Sequence, residues 1–436
     1  MSDGGGWSLS GAAEFAAVSV AFAVGAKMLY NYYNGTPKRS YTYVPFADRF
    51  DDDSCVVAVD CTHPRLPTLS HQRGSRNPAV GLRPADTSTG LVLNGLATGP
   101  WKRDVWAVCQ RSCVTTNHFD VDSFLSVWCY INRAAAVEHE AVLRHMARIG
   151  DFREAFLCPD LITAYGAEDS IGFIREAYTA LKLVCWLNTL ERRLFSAPYE
   201  ARDCAAKMEW FLPRFLEVLE DPESAWSDWQ SEYTTVVSGF DQLSGADCMV
   251  EAFPELGLAV VSAPDPLHYY ALFSHTIGAD VVVTIYDDHR YEVECKYTQT
   301  VSVTSRPVTP RLDMAPLAEV LNRLETDMPQ HVAWTASRFT DSGPLLRLDA
   351  RGETLTKAQR YGHPTERPFY SSSIPPPKLA AVVRSFLHFG LSAAPAARPG
   401  GFAWSELHEI NGRIPWEVRR GDFRAGFEAV IGISVV

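Results

Sequence analysis

The spacing of apolar and polar positions changes several times along the chain, and each change predicts an element. Ser54 to Val59 is an apolar run rich in β-branched residues, which predicts a buried strand ending at Asp60-Cys61-Thr62-His63. Leu69 to Asp86 shows no period, carries Gly and Pro throughout, and reads as a long loop holding His71, Arg73 and Arg76. Gly90 to Leu96 alternates as a strand does, Val105 to Val108 follows the Gly99-Pro100 turn, and Val114-Thr115-Thr116 predicts a short central strand. Phe124, Leu125, Val127, Trp128 and Ile131 then form the buried side of a helix. Ala134 to Ile149 is a second helical pattern, with His139 and His145 expected on its solvated flank and Gly150 as its end.

From Ala167 to about Gln242 three stripes repeat at three to four residues, the last through Trp226, Trp229, Tyr233 and Val237, which predicts a helical layer. The period returns to two near Met249. Leu258 to Ser262 predicts a strand, Leu267 to Thr276 a helix, and Val281–Tyr286 with Tyr291–Tyr297 a hairpin around Asp287-Asp288-His289. A helix from Met314 to Leu324, strands at Val332–Thr335 and Leu345–Leu348, and a last amphipathic helix from Leu379 to Phe389 complete this part. Residues 391–401 read as a linker, and Phe402 to Val436 as a short appendage.

The chemistry concentrates in the turn between the central strand and its helix. His118, Asp120 and Asp122 lie within five residues, and alternation along an extended loop would set them on one side. Ligands bind beyond the carboxyl ends of strands in open α/β sheets. Imidazole with two carboxylates suits Mn, Fe or Zn better than Ca. The competing role is local: Asp122 or Ser123 as the helix N-cap, with His118 hydrogen-bonded at the strand end. Asp60 and His63 also follow a predicted strand, with a plain turn as the alternative because Pro64 comes next. Ser305-Arg306-Pro307-Val308-Thr309-Pro310-Arg311-Leu312-Asp313 places two arginines in a proline-stiffened loop. These could clamp a phosphate or carboxylate, or Arg311 could simply pair with Asp313.

His118-Phe119-Asp120-Val121-Asp122-Ser123 resembles the first motif of the DHH-type phosphoesterases, and Asp151 resembles the position of a further metal-binding aspartate there. The resemblance implies divalent metal held by these residues, manganese before zinc or magnesium. Neither an Asp-His-His triplet nor that superfamily's glycine- and histidine-rich C-terminal motif occurs downstream. A second resemblance runs from about Val56 to Phe389, through Leu69-Ser70-His71, Asp86-Thr87-Ser88-Thr89, the His118 turn, Ile149-Gly150-Asp151-Phe152 and Ser305 to Asp313. These segments are similar to a family of plant and bacterial proteins with no assigned activity.

The net charge of −12 argues against general nucleic-acid binding, which needs a basic face, and leaves room for a local basic pocket for a phosphate. Ten scattered cysteines without a Cys-x-x-Cys pair fit a reducing compartment. The apolar run around Phe15–Ala26, extended over residues 12–33, is long enough to tether the chain to a membrane with the bulk in the cytoplasm; organelle targeting is the alternative.

The expected architecture is α/β. It has a DHH-phosphoesterase-like parallel-sheet lobe with a helical insertion (54–245), a smaller second α/β lobe (246–390), an N-terminal segment with linker (1–53) and a C-terminal linker with appendage (391–436). The expected function is metal-dependent hydrolysis of a phosphoester or similar anionic small molecule. His118, Asp120 and Asp122 would be both catalytic and metal-binding, with Asp60, His63 or Asp151 completing the shell. Arg306, Arg311 and His71 would bind substrate. The alternative is a non-catalytic ligand-binding or scaffold protein that keeps a degenerate hydrolase fold.

Overall fold

The computed structural model describes residues 40–157, 170–195, 203–350, 355, 359 and 364–416. The first sheet is wholly parallel. Its strands are β1 (Thr42–Tyr43), β2 (Val56–Val59), β3 (Thr68–Leu69) and β4 (Cys113–Thr115), in the order β1-β4-β2-β3. Because all four run the same way, the residues after β2, β3 and β4 emerge at one edge. Strand β2 is buried at every position, as its unbroken apolar run requires for a sheet covered on both faces.

Helices α1 (Ser88–Leu96), α2 (Arg103–Cys109), α3 (Val121–Ile131), α4 (Arg133–Glu138) and α5 (Glu140–Phe152) belong to this half. They are followed by α6 (Ser170–Leu194), α7 (Cys204–Phe211), α8 (Phe215–Glu220) and α9 (Trp226–Leu243). One core joins them to the sheet. Phe124 and Trp128 of α3 meet the Phe215 ring edge-on, with centroids 5.2 and 5.0 Å away; Trp229, Tyr233 and Val237 of the expected stripe join the same core, whereas Trp226 is exposed.

Two expected strands are helices. Gly90–Leu96 lies in α1, because Thr87 caps it by accepting the Gly90 N–H and every residue of it is buried, so no face alternates. Val105–Val108 lies in α2. Nor does Gly150 end its helix. α5 runs on to Phe152, and Arg153 takes the left-handed position at φ 58°. Gly150 instead lets α5 approach α3, since a Cβ there would run into the Val121 side chain. Gly150→Ala is therefore expected to cost about 1–3 kcal/mol, read as a lowered midpoint of thermal unfolding. His145, expected in solvent, is buried against the rings of Phe156 and Phe173, and burial pushes its pKa down to about 4.

The second sheet is mixed, in the order β5-β6-β7-β8-β10-β9. It comprises β5 (Met249–Phe253), β6 (Leu258–Ala263), β7 (Val281–Tyr286), β8 (Arg290–Cys295), β9 (Val332–Ala336) and β10 (Leu345–Ala350). Helix α10 (Tyr269–Ser274) connects the parallel pair β6 and β7; α11 (Ala315–Leu324), α12 (Pro376–Ser392) and α13 (Trp404–Arg413) complete the half. The hairpin turns at Asp288 and His289, both at positive φ. The segment read as an appendage contributes Phe402, Leu407, Ile410 and Ile414 to the core of this half.

The halves meet beside β3. Gln72 bridges Val301, and the Ser302 N–H donates to the His71 carbonyl at 2.9 Å. Asp86 accepts from the Thr304 and Ser305 N–H groups at 2.7 and 2.9 Å. Among the described residues no helix is long and apolar enough to cross a membrane; the run at 12–33 lies outside them.

Candidate metal centre

Three strand ends supply the centre. Asp60 follows β2 in the left-handed region, φ 48°, a conformation Asp tolerates better than most residues. Its backbone is held there by its own N–H to the Leu69 carbonyl at 3.2 Å and by Gln72 Nε2 donating to its carbonyl at 2.9 Å. His71 follows β3, and His118 follows β4. Asp122 comes from the first turn of α3, and Asp151 from the last turn of α5.

Asp60 faces both histidines. His118 Nε2 lies 3.3 Å from its Oδ2, and His71 Nε2 lies 3.5 Å from its Oδ1, which also accepts the Ser88 hydroxyl at 2.6 Å. His71 Nε2 further lies 3.2 Å from Asp151 Oδ2 and 3.7 Å from Asp122 Oδ2. Each imidazole has a second partner on its Nδ1 side. The Asp86 carbonyl, 2.5 Å from His71 Nδ1, only accepts, so Nδ1 carries a proton and Nε2 is the nitrogen that faces three carboxylates. His118 Nδ1 likewise pairs with Asn117 Oδ1 at 2.8 Å. His71 Nε2 and Asp151 Oδ2 are buried and make no hydrogen bond. A proton on Nε2, which the raised pKa of His71 favours, or a metal ion in its place would answer these carboxylates, and metal-bound histidines are commonly oriented through the other ring nitrogen in this way.

The His118 motif does not lie on one side of a loop. Helix α3 begins at Val121, so Asp120 and Asp122 part company. Asp120 is the N-cap, rather than Asp122 or Ser123. Its Oδ1 accepts the Ser123 N–H at 2.8 Å, Ser123 Oγ answers to the Asp120 N–H, and its Oδ2 stays 3.1 Å from His118. Asp122 is fully buried and accepts the Ser88 and Thr89 N–H groups at 2.7 and 2.9 Å, at the positive end of α1. Two groups result, Asp60–His118–Asp120 and Asp60–His71–Asp122, in each of which the ligand atoms lie within 4.8 Å of one another. These buried Asp and His groups could hold a metal ion.

The electrostatics agree with crowded carboxylates. Burial and the Asp60 charge raise Asp122 to about 6, and burial with Asp122 and Asp60 holds Asp151 well above the usual range. Burial opposes charge on both histidines, yet the carboxylates outweigh it and raise them, His118 strongly. For Asp60 the two histidines outweigh burial and lower its pKa.

Three expected site residues sit elsewhere. His63 is occupied in its own turn: Nε2 meets the Ala47 carbonyl at 3.0 Å, and Nδ1 accepts the Arg65 and Leu66 N–H groups. Arg306 pairs with Asp280 at 2.7 Å. Arg311 is wholly buried and donates to the carbonyls of Lys296, Phe339, Asp341 and Ser342, rather than pairing with Asp313. Neither arginine lines the cavity of about 670 Å³ that opens beside His118, Asp120 and Asp151. Its far wall comes from the second half, through Tyr269, Phe273, Lys296, Tyr297 and Trp404. No site role followed from the sequence for these residues, nor for Ser88 and Thr89 of the Asp86-Thr87-Ser88-Thr89 segment. A Thr cap before an apolar run was the available signal for the latter two.

Residues 39–397 match the model described as "Family of unknown function (DUF6687)". Comparison with curated proteins and with solved structures returned no match.

Proposed function

We propose that this chain, which belongs to the family of unknown function DUF6687, is a metal-dependent hydrolase of a phosphoester or similar anionic small molecule. One observation carries the reading. Two candidate ligand groups share Asp60 at the edge of a cavity large enough for a small organic substrate. Asp60, His118 and Asp120 would hold one divalent ion, and Asp60, His71 and Asp122, with Asp151 beside His71, a second. Mixed imidazole and carboxylate donors favour manganese over magnesium, and zinc is the closest competitor. A divalent ion so held supplies Lewis acidity and makes water nucleophilic near neutral pH.

The protein's own groups do the rest. Asp86 orients His71 through Nδ1, Asn117 orients His118, and the first N–H groups of α1 hold Asp122 in place. The test uses the full chain, loaded with manganese and freed of excess. Metal is measured by elemental analysis, and turnover by p-nitrophenol release from aryl phosphates. Asp120→Asn with Asp122→Asn should abolish both while leaving the capping hydrogen bonds an oxygen acceptor. Equal metal in wild type and double variant would sink the reading. Full metal without turnover of any anionic ester would favour the non-catalytic ligand-binding alternative.

A further inference from the structure

The geometry points to a substrate class for this cavity: a phosphodiester bearing a single negative charge and at least one flat aromatic group. The inference rests on the hydrolase reading above and deepens it. It comes from the charges and surfaces that line the cavity.

Four carboxylates, Asp60, Asp120, Asp122 and Asp151, meet at the candidate centre. Two divalent ions would match them and leave no surplus to attract a highly charged ligand. The other charged groups on the wall are already balanced. Arg153 Nη1 lies 3.0 Å from Glu294, Lys296 Nζ lies 3.0 Å from Glu154, and Glu191 lies 2.8 Å from Lys207. One lining cation has no carboxylate within ion-pair distance among the described residues. Arg73 donates to the Gly400 and Val301 carbonyls at 2.8 and 2.9 Å, and its Nε is buried without a hydrogen-bond partner. One surplus positive charge suits a monoanion. A dianionic monoester or a polyphosphate would bring charge that this wall does not answer.

The surface beyond the metal residues is mixed, with polar side chains such as Asn188, Thr300 and Ser342, and it carries a run of aromatic rings. Phe152 and Tyr297 pack beside His71, with ring centroids 6.4 and 6.1 Å away, and both line the cavity. Tyr269, Phe273 and Trp404 continue the wall from there. Such a surface favours a flat ring, which gains dispersion and apolar burial against it. A volume of about 670 Å³ exceeds what a bare phosphate fills, and falls among cavities that enclose small organic ligands. Hydrolysis would add water across one P–O bond. The water oxygen attacks phosphorus, the ester oxygen leaves with one proton as the alcohol or phenol, and the second proton passes to the monoester product or solvent.

The test is binding to the manganese-loaded full chain, using probes without a hydrolysable bond. Diphenylphosphinate is a monoanion with two rings, phenylphosphonate is a dianion at mildly alkaline pH, and dimethylphosphinate is a monoanion without rings. Calorimetric titration should show diphenylphosphinate binding at least about tenfold tighter than either of the others, about 1.4 kcal/mol. Phenylphosphonate binding as tightly would overturn the charge argument. Dimethylphosphinate binding as tightly would overturn the aromatic one. Trp404→Leu should weaken diphenylphosphinate selectively and leave the manganese content unchanged, and an unaltered affinity would count against the wall. Absence of bound manganese would bring down the hydrolase reading and this one together. Normal manganese with the wrong probe order brings down this one alone.

Discussion

Asp60→Asn is expected to strip the chain of bound manganese altogether, whereas Asp120→Asn leaves one of the two ions in place. Asp60 is the shared member of both ligand groups, with one oxygen toward His118 and the other toward His71. Asparagine keeps the side-chain shape and tolerates the left-handed backbone at φ 48°, so the fold should survive. It loses the negative charge between two histidines, and a neutral amide is a weaker ligand for a divalent ion than a carboxylate. Asp120 serves only the outer group, and its asparagine variant can still cap α3. Elemental analysis of both purified variants reads the outcome. Equal loss from both would mean that the two groups form a single site, and no loss from Asp60→Asn would remove Asp60 from the centre.

The second large effect is in pH. Manganese should raise the thermal midpoint strongly at about pH 8 and little at about pH 5. The sign follows from the direction of the shifts. Asp122 has a folded-state pKa raised from 3.8 to about 6, and Asp151 is also held well above the usual carboxylate range. A carboxyl so raised binds its proton more tightly in the folded state than in the unfolded one. The metal-free protein therefore gains stability from these two groups as pH falls through about 6, and loses it as pH rises. His71 and His118 also hold protons more tightly in the metal-free fold. A metal must displace these protons, and each one costs a factor of about ten in affinity per pH unit below its pKa. At high pH the protons are gone, the carboxylates repel one another, and the ion relieves them. At a hundredfold excess over Kd its binding contributes about 2.7 kcal/mol, enough to move the midpoint by several degrees. A manganese-induced shift independent of pH, or larger at low pH, would show that the ion binds outside this cluster.

Where one side chain type or one period decided the element, the sequence was readable. The β-branched run before Asp60, the turn before α3, the helical stripes from α6 to α9 and the hairpin at Asp288 all depend on neighbours a few residues apart. Reading failed where burial on every side removed the contrast between faces. Helix α1 is the plain case, since a fully buried apolar segment carries no period of its own. Gly150 misled for a related reason. Glycine is needed at helix ends and also at close helix crossings, and only the position of Val121 tells which.

The sequence by itself determined which chemical groups exist and which of them follow strands: Asp60 after an apolar run, His118 to Asp122 at the head of a helix, and a net acidic chain. Tertiary structure alone decided which of them meet. Parallel alignment of β2, β3 and β4 carries Asp60, His71 and His118 to one edge, although up to 58 positions separate them. It takes His71 out of a long loop and sets its Nε2 among three carboxylates. It takes Arg306 and Arg311 away from any such site, because Arg306 pairs with the buried Asp280 and the Nη groups of Arg311 are spent on four carbonyls. The physical reason is the range of the interactions. Propensity and capping act within a turn or two along the chain, whereas ligand convergence and the partners of a buried charge depend on which strands pair, and that is settled by packing the whole core.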